Sequence, residues 1–266
     1  MGSSTLMSIG MRAMFANFAA LQTTGHNIAN ANVEGYSRQQ AELQTSTGQF
    51  TGAGFFGKGV DVATVTRSHN AFLTREAVAS KSLAAGDQAR LDQLTRLEQV
   101  FPPGEQGLGY AAGQLLNAMV DLASRPQDAP TREVVLARAQ EVASRFAAAG
   151  AQFDSLQDGV AQDLRNGIAA VNGLTQRIAD VNGQIARASG LGQPPNDLLD
   201  QRDQLISELG GYVQVTTIAA SDGTLGVFMA GGQRLVLGKD ATPLALLPDA
   251  YDISRQAVAI VDNGVA

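Results

Sequence analysis

The chain has 266 residues, of which 44% are hydrophobic and 5% aromatic, and a formal net charge of -6. This length allows two domains or one large domain. The negative charge without a basic patch argues against nucleic-acid binding, because phosphates are held by clustered lysine and arginine. The absence of cysteine excludes disulfides, thiol catalysis and thiolate metal sites.

The first predicted element is an N-terminal helix with apolar residues at alternating spacings of four and three. These residues, called the assembly seam below, are Met7, Met11, Met14, Phe18, Leu21 and Ile28. The spacing is typical of the a and d positions of a coiled coil, so it predicts that this helix packs against a partner helix. Gly25 fills the remaining position and predicts a local weak point, since glycine costs about 1 kcal/mol relative to alanine in a helix.

The helix is not predicted to enter a membrane. Residues 13–33 carry no charged side chain, but polar side chains interrupt the apolar run that a membrane span requires. The sequence also lacks a basic segment followed by a continuous apolar block and a small-residue cleavage site. We therefore expect no cleaved secretory signal, so that the protein, if exported, leaves the cell uncleaved.

A polar turn follows the helix, between Asn27 and Gln39. Its candidate interface residues are Asn27, Asn30, Asn32, Gly35, Tyr36 and Arg38. The Asn and Gly residues suit turn backbone, whereas a phenol and a guanidinium can bridge two surfaces. The competing interpretation is a helix C-terminus that satisfies its own polar groups, which leaves Tyr36 and Arg38 unexplained. We therefore predict that this turn is an interface.

The middle of the chain is predicted to be largely helical. A glycine-rich loop over residues 48–59 and a short strand or extended arm over 60–65 precede helices near 70–101 and 110–124. Apolar residues then recur every three or four positions within the proline-free stretch 131–189, which as one helix would be ~90 Å long. Four glycines either permit close helix packing there or interrupt the helix. They are Gly159, Gly167, Gly173 and Gly183.

In the last part of the chain the residue pattern changes from helical to β-type. A short helix is predicted from Asn196 or Asp197 to Leu209, and β-rich runs follow at 212–218, 224–229, 233–237 and 257–261. An Asp262-Asn263-Gly264 turn with no strand after it leads us to expect a fragment, with a truncated β domain and no C-terminal partner helix. The predicted fold is mainly α, with long helices in a bundle or coiled coil, followed by a partial all-β domain.

This organisation gives an α+β, multidomain chain in three predicted parts. Residues 1–70 form an N-terminal helix with an extended arm, residues 71–210 a helical bundle domain, and residues 211–266 the beginning of a β domain.

Motifs with possible chemistry are few. The stretch 52–57 reads G-x-G-x-x-G, but it lacks the preceding buried strand and following helix that a dinucleotide site needs. His26 and His69 stand without metal-ligand spacing, so we expect them to be hydrogen-bonding residues at a surface or interface. Asp197, Asp200 and Asp203 open a helix, where a solvated, capping acidic face is favoured over a cation site. No catalytic, cofactor-binding or metal-binding residue is predicted.

Three ordered segments carry a family resemblance. The first reads N-I-A-N-A-N-V-E-G-Y-S-R-Q from Asn27, and the second combines G-K-G-V-D-V from Gly57 with Arg67 and N-A-F-L from Asn70. The third reads N-D-L-L-D-Q-R-D-Q-L from Asn196. Together they are similar to the signature segments of the bacterial flagellar axial proteins, the rod, hook and hook-associated subunits. The first and third segments most resemble the hook-associated members, although Gly25 and His26 stand where that family usually has Ser and Asn.

The resemblance implies a non-enzymatic structural subunit of the bacterial flagellum that joins hook to filament and self-assembles through packing of its N-terminal helix. It implies as partners neighbouring copies of the chain, the hook protein, the next hook-associated protein and a cytosolic export chaperone. It also implies an extracellular place, reached by the flagellar type III route. No cofactor, nucleic acid or membrane insertion is expected.

Three alternatives remain open from the sequence. Within the family, the chain could be another hook or rod subunit. Outside it, a coiled-coil secretion or signalling module would dimerise through the apolar stripe from Phe153 to Ile185. A dinucleotide-dependent enzyme would be stabilised thermally by its cofactor.

Overall fold

A computed structural model describes residues 2–50, 52, 54–190, 192–249, 251 and 256–261. The helices are α1 Gly2–Ala29, α2 Ala71–Val100, α3 Leu108–Ser124, α4 Ala129–Ser189 and α5 Asn196–Gly210, with a 3-10 turn at Gly104–Gln106. The strands are β1 Gln39–Thr45, β2 Gln49–Phe50, β3 Phe55–Phe56, β4 Val60–Arg67, β5 Val215–Ala219, β6 Leu225–Met229, β7 Arg234–Leu237, β8 Asp240–Ala241, β9 Leu244–Pro248 and β10 Gln256–Ile260.

The predicted fold class is confirmed, because the chain is 61% helical and its long helices are followed by a small β region. The predicted 262–264 turn lies outside the described residues. By contacts, the chain divides into a first unit of residues 1–83, 170–245 and 259–266 and a second unit of residues 84–169 and 246–258. The predicted parts, with boundaries at residues 70 and 210, are continuous stretches of sequence, unlike these two units. That division stays a prediction.

In the first unit, α1 packs on an antiparallel ladder of β1 and β4. Where the contact face of α1 is most buried it carries a small residue, Ala16, which is only 2% exposed. At its N-terminal end Ile9 approaches Gly59, and the Arg12 guanidinium donates to Asp61 and Ser46. The N-terminal helix therefore rests on strands of its own chain, a support that the seam pattern did not predict.

The apolar core of the first unit lies between the last third of α4, α5 and the antiparallel sheet β5-β6-β7-β8. Its most buried side chains include Ile178, Ile185, Leu209, Val227, Leu235 and Val236. Asn182 joins helix to sheet, because its amide donates to the carbonyls of Leu225 and Gly238 and accepts from the Leu225 N–H. The α4 stripe from Val171 to Ile185 is thus part of the chain's own core, which disfavours a dimer formed along that stretch.

The second unit is helical and packs mainly through alanines, which agrees with the low aromatic content. Ala111, Ala118 and Ala149 are buried there together with Val100. The Arg145 guanidinium donates to the carbonyls of Glu105 and Gly107, which fixes the turn between α2 and α3 against α4.

Helix α4 runs without interruption over 61 residues. A side chain added at Gly159, Gly167 or Gly173 would meet nothing within 4 Å, and one at Gly183 would make ordinary contacts at 3.7 and 3.8 Å. The four glycines therefore neither interrupt the helix nor, at the first three positions, serve close packing within the chain.

Candidate assembly interface

The assembly seam lies on the face of α1 that points away from the β1–β4 ladder. The exposed fractions of its six side chains run from 53% for Met11 to 73% for Met14 and Ile28. Phe15, beside the seam, is 69% exposed. The two faces of helix α1 therefore differ. The face toward its own chain includes Ala16, Ile9 and Arg12, whereas the outward face carries the row of large apolar side chains. Scattered exposed apolar residues are common on proteins, but a continuous row along one helix marks an interaction site.

Asn27 is the hydrogen-bonding centre of the polar turn. Its side-chain amide donates to the Gln39 carbonyl at 2.8 Å, and its oxygen accepts from the Gln39 N–H at 2.8 Å. The same oxygen accepts from the Tyr36 hydroxyl at 2.7 Å, and His26 Nδ1 lies 3.1 Å from that hydroxyl. Asn27 thereby imitates a neighbouring strand for the first residue of β1, and this pairing fixes where the chain reverses after α1.

The turn then contacts the start of α5. The Ser37 N–H donates to Asp200 Oδ2 at 2.8 Å, and the Gln39 side chain donates to Asp197 Oδ1 at 2.9 Å. Gly35 has a φ of +80°, and a Cβ there would lie 3.2 Å from the Gln204 side chain. Glycine is required at this position both by its left-handed backbone and by the close approach to α5.

An ion-pair cluster continues this contact to the end of β4. Arg67 Nη1 lies 2.8 Å from Asp200 Oδ1 and 2.7 Å from Asp203 Oδ2, and all three side chains are largely buried. His69 Nε2 lies 3.2 Å from Asp203 Oδ2 and 2.9 Å from the Thr74 hydroxyl. Nearby, the Asn196 amide donates to the Val65 carbonyl at 2.7 Å. We call Arg67, His69, Asp200 and Asp203 the joint cluster.

Two pKa values in this region are shifted by their surroundings. Burial and then the positive charge of Arg67 lower the pKa of His69, and together they outweigh the opposing effect of Asp203. Burial and then the charges of Asp197 and Asp200 raise the pKa of Tyr36. The Tyr36 hydroxyl therefore keeps its proton and remains a donor to Asn27 at physiological pH.

The acidic face predicted at residues 197, 200 and 203 is only partly solvated, which corrects the prediction. Asp197 is exposed, but the carboxylates of Asp200 and Asp203 are taken up by Arg67. Within the described part of the chain, no group of three or more His, Asp or Glu side chains is arranged to hold a metal ion. Sequence reasoning missed Arg67 as their partner, although the resemblance had already singled that residue out.

The six predicted turn residues have different surroundings. Asn27, Gly35 and Tyr36 contribute to the intramolecular contacts above, and the Asn30 amide donates to the His26 carbonyl, which caps α1. The side chains of Asn32 and Arg38 are exposed and have no hydrogen-bond or ion-pair partner among the described residues. Hydrogen bonds within the chain therefore account for most of the turn's polar groups. Of the six, only the side chains of Asn32 and Arg38 are left without a partner among the described contacts.

In the described part of the glycine-rich segment, β2 and β3 pair antiparallel, the rings of Phe50 and Phe55 lie 5.3 Å apart, and both side chains are exposed. The next element is the strand β4, where a nucleotide-binding turn needs a helix. Among the helices that the structure describes, none is long and apolar enough to cross a lipid bilayer.

Comparison with known proteins assigns these features to a family. Residues 94–266 match the model of the flagellar hook-associated protein FlgK helical domain, which is more than half of the chain. The chain belongs to the FlgK hook-associated protein family. Residues 7–36 separately match the flagella basal body rod protein model, a range that holds the whole assembly seam and most of the polar turn.

Curated FlgK relatives align with nearly the whole chain. Flagellar hook-associated protein 1 of Salmonella typhimurium is 32% identical over 98% of this chain and 47% of its own length. The Escherichia coli protein of the same name is 31% identical over 98% of the chain, and that of Bacillus subtilis is 28% identical over 89%. The chain spans about half the length of the curated relatives it matches. These relatives are named as flagellar proteins and not as enzymes.

A solved FlgK structure shares the fold. The flagellar hook junction protein FlgK from Burkholderia pseudomallei matches with a TM-score of 0.65 at 28% sequence identity. The match covers 70% of this chain and 33% of that protein. The family suggested by the three sequence segments is thus confirmed.

Proposed function

We propose that this chain is a structural, non-enzymatic subunit of the bacterial flagellum that joins the hook to the filament. The proposal is supported by membership of the FlgK family and by relatives whose names place them at the hook or its junction. The domains that it assigns are a polymer-core part at 1–70, a helical bundle at 71–210 and the beginning of a β domain at 211–266.

The observation that carries the proposal is the outward row of large apolar side chains on α1. Burying apolar surface contributes about 25 cal/mol per Å² removed from water, so six such side chains along one helix favour a helical partner. The opposite face of α1 is already occupied by β1 and β4. A neighbouring subunit can therefore cover the seam without displacing any contact that holds α1 to its own chain.

The joint cluster holds the segments around the assembly seam in a fixed arrangement. Because Asp200 contacts both Ser37 and Arg67, the turn after α1, the end of β4 and the start of α5 are held together. A seam that is held rigidly loses little conformational entropy on assembly. Asn32 and Arg38 lie on the same turn with free side chains, and we assign them to contacts with the adjoining subunit.

The partners that we propose are neighbouring copies of the chain, the hook protein, the next hook-associated protein and a cytosolic export chaperone. Contacts between copies are heterologous, so that a helical lattice continues instead of closing as a dimer. The proposed location is the extracellular flagellum, reached by type III export without signal cleavage. Cofactors, nucleic acid and membrane insertion have no part in this function.

The experiment replaces Phe18 and Leu21 together by Asp in the complete natural gene. Two charges in a desolvated seam oppose assembly strongly, so we expect cells without filaments and with little swimming. The control variant carries Asn17→Asp and Thr24→Asp, which place two charges on the same exposed side of the helix without replacing an apolar seam residue. Normal filaments on cells with the seam variant would rule out the proposed role of the seam.

A further inference from the structure

A groove of about 470 Å³ lies in the first unit beside the sheet. Its walls are the end of β4, the first two turns of α2, the middle of α5 and the strand β5. Val78 and Ile206 form a buried apolar floor, with exposed fractions of 6% and 5%. No residue of the assembly seam lines the groove, but three of the four joint-cluster residues do, namely Arg67, His69 and Asp203.

One wall of the groove is an open sheet edge. Strand β5 is the first strand of the sheet, and among the described strands it pairs with β6 alone. The Gln214 carbonyl accepts from the Ala230 N–H, and the Ala220 N–H donates to the Thr224 carbonyl, so the even-numbered residues of β5 are those bonded to β6. In an antiparallel ladder the alternate residues direct their N–H and C=O groups to the other side. Val215, Thr217 and Ala219, which all line the groove, therefore direct theirs away from β6.

These outward groups have no backbone partner among the described residues. An unpaired edge of this kind accepts an added strand, and main-chain hydrogen bonds then supply much of the affinity. Residues 214 to 217 line the groove consecutively, as expected for an edge seen side-on.

Two arginines of the groove, Arg75 and Arg202, form no ion pair with a described carboxylate. Arg202 lines it and is 5% exposed; its Nη1 donates to the Gly223 carbonyl at 2.7 Å, but its Nε has no hydrogen-bond partner among the described residues. Arg75 lines the mouth, is exposed, and forms no hydrogen bond or ion pair with any described residue. Asp203, the acidic residue of the wall, is already paired with Arg67 and His69. A buried donor left unpaired is costly, which favours an acceptor brought by another molecule.

We propose that this groove binds an extended, acidic segment of a separate protein chain, which adds as a strand to β5 and places a carboxylate near Arg75 and Arg202. The open edge supplies the main-chain hydrogen bonds, the apolar floor accepts one face of the added strand, and the two arginines select for negative charge. The proposal goes beyond the junction role and does not depend on it, because the seam is on a different surface.

The probe is a labelled peptide of about nine residues, alternating threonine and valine with one central glutamate, and its twin carries glutamine instead. We expect the glutamate peptide to bind the full chain about tenfold more tightly than its twin, as measured by fluorescence anisotropy. The preference should fall in an Arg75→Gln variant. Hydrogen exchange should slow at Val215, Thr217 and Ala219 on binding.

A backbone variant separates strand addition from other binding modes. Thr217→Pro removes an N–H that faces the groove but leaves the bonds to β6 in place, and we expect it to weaken peptide binding about tenfold or more. Thr217→Ala, which keeps the N–H, is the matched control and should bind like the parent. Circular dichroism melting checks that both variants fold.

Two results would overturn the proposal. The first is equal binding of both peptides to the parent and to the Thr217→Pro variant, or no binding at millimolar peptide. The second is pairing of β5 with a second copy, seen as concentration-dependent dimerisation that Thr217→Pro abolishes while the peptide has no effect.

Discussion

The Arg67 guanidinium donates to Asp200 Oδ1 over 2.8 Å, and the two residues are 133 positions apart in the chain. Asp200 also accepts from the Ser37 N–H, so a single carboxylate joins three segments that looked unrelated in the sequence. These are the three segments that carry the family resemblance. Their shared motifs therefore describe one intramolecular joint, whereas the seam side chains stay exposed.

Replacing Asp200 by Asn should destabilise the first unit by about 2–4 kcal/mol, because Arg67 loses one of its two carboxylates in a largely buried place. Urea unfolding followed by circular dichroism measures the change. The matched control is Asp197→Asn, since Asp197 is exposed and accepts a single hydrogen bond from Gln39. A loss below about 1 kcal/mol is expected for the control. Equal effects of the two variants would contradict the importance assigned to the joint cluster.

Asn27→Ala should release the start of β1 from the end of α1. The variant loses two hydrogen bonds to the Gln39 backbone and one to Tyr36, a loss of about 1–3 kcal/mol. Amide hydrogen exchange at Gln39 should become faster. Asn32→Ala is the control from the same motif, because its side chain is exposed and has no partner among the described residues. Unchanged exchange at Gln39 in the Asn27 variant would show that the turn does not depend on this amide.

Gly35→Ala should lower the melting temperature. Its φ of +80° is strained for alanine, by about 1–2 kcal/mol, and the added methyl would approach Gln204 at 3.2 Å. Gly25→Ala should act in the opposite direction, by about 1 kcal/mol, because it lies within α1 and a methyl there meets nothing within 4 Å. Thermal melting of the two variants beside the parent tests both signs, and a stabilising Gly35 substitution would refute the backbone argument.

His69 should make the chain less stable in mild acid. Because its pKa is lowered in the folded state, by burial first and then by Arg67, the unfolded chain binds more protons. The free energy of unfolding is therefore highest above the unfolded pKa of about 6.5 and falls as the pH drops through and below it. His69→Gln should flatten this part of the profile. The charged groups that face His69 are Arg67, Asp200, Arg202 and Asp203. The measurement compares the urea midpoints of parent and variant between about pH 5 and 7.

The helices were predictable from local signals. Proline and glycine mark the ends of α2, α3 and α5, and period-four apolar spacing marks α4, so their positions follow from the sequence nearby. The continuity of α4 did not follow. Each glycine has a helix cost of about 1 kcal/mol that packing elsewhere along the helix outweighs, and the sequence does not display that balance.

Strand β1 and the joint cluster were harder to predict, because their partners are distant in the sequence. β1 has only Ala41 and Leu43 as apolar residues and forms because β4 pairs with it. The short strands β8 and β9 were also missed, although their partners β7 and β10 are their neighbours in the chain; the two residues of β8 are too few to show an alternating pattern. Asp200 and Asp203 looked like a solvated helix start, since nothing near them in sequence indicates that Arg67 arrives from the end of β4. Among the candidate turn residues, the sequence did not separate those that bind within the chain from Asn32 and Arg38, and the interface itself stays a prediction.

The central claim, that the outward face of α1 is covered by a neighbouring subunit, is tested most directly by thiol accessibility. The 266 residues contain no cysteine, so Phe18→Cys introduces the one thiol among them. A maleimide reagent should label it rapidly in the isolated chain, where Phe18 is 65% exposed, and slowly in assembled flagella that carry the variant in the complete natural gene. A Ser155→Cys variant on exposed α4 shows that the reagent reaches the assembly. Protection of the Phe18 position only in assembled flagella is the predicted result, and equally rapid labelling in both states would contradict the account.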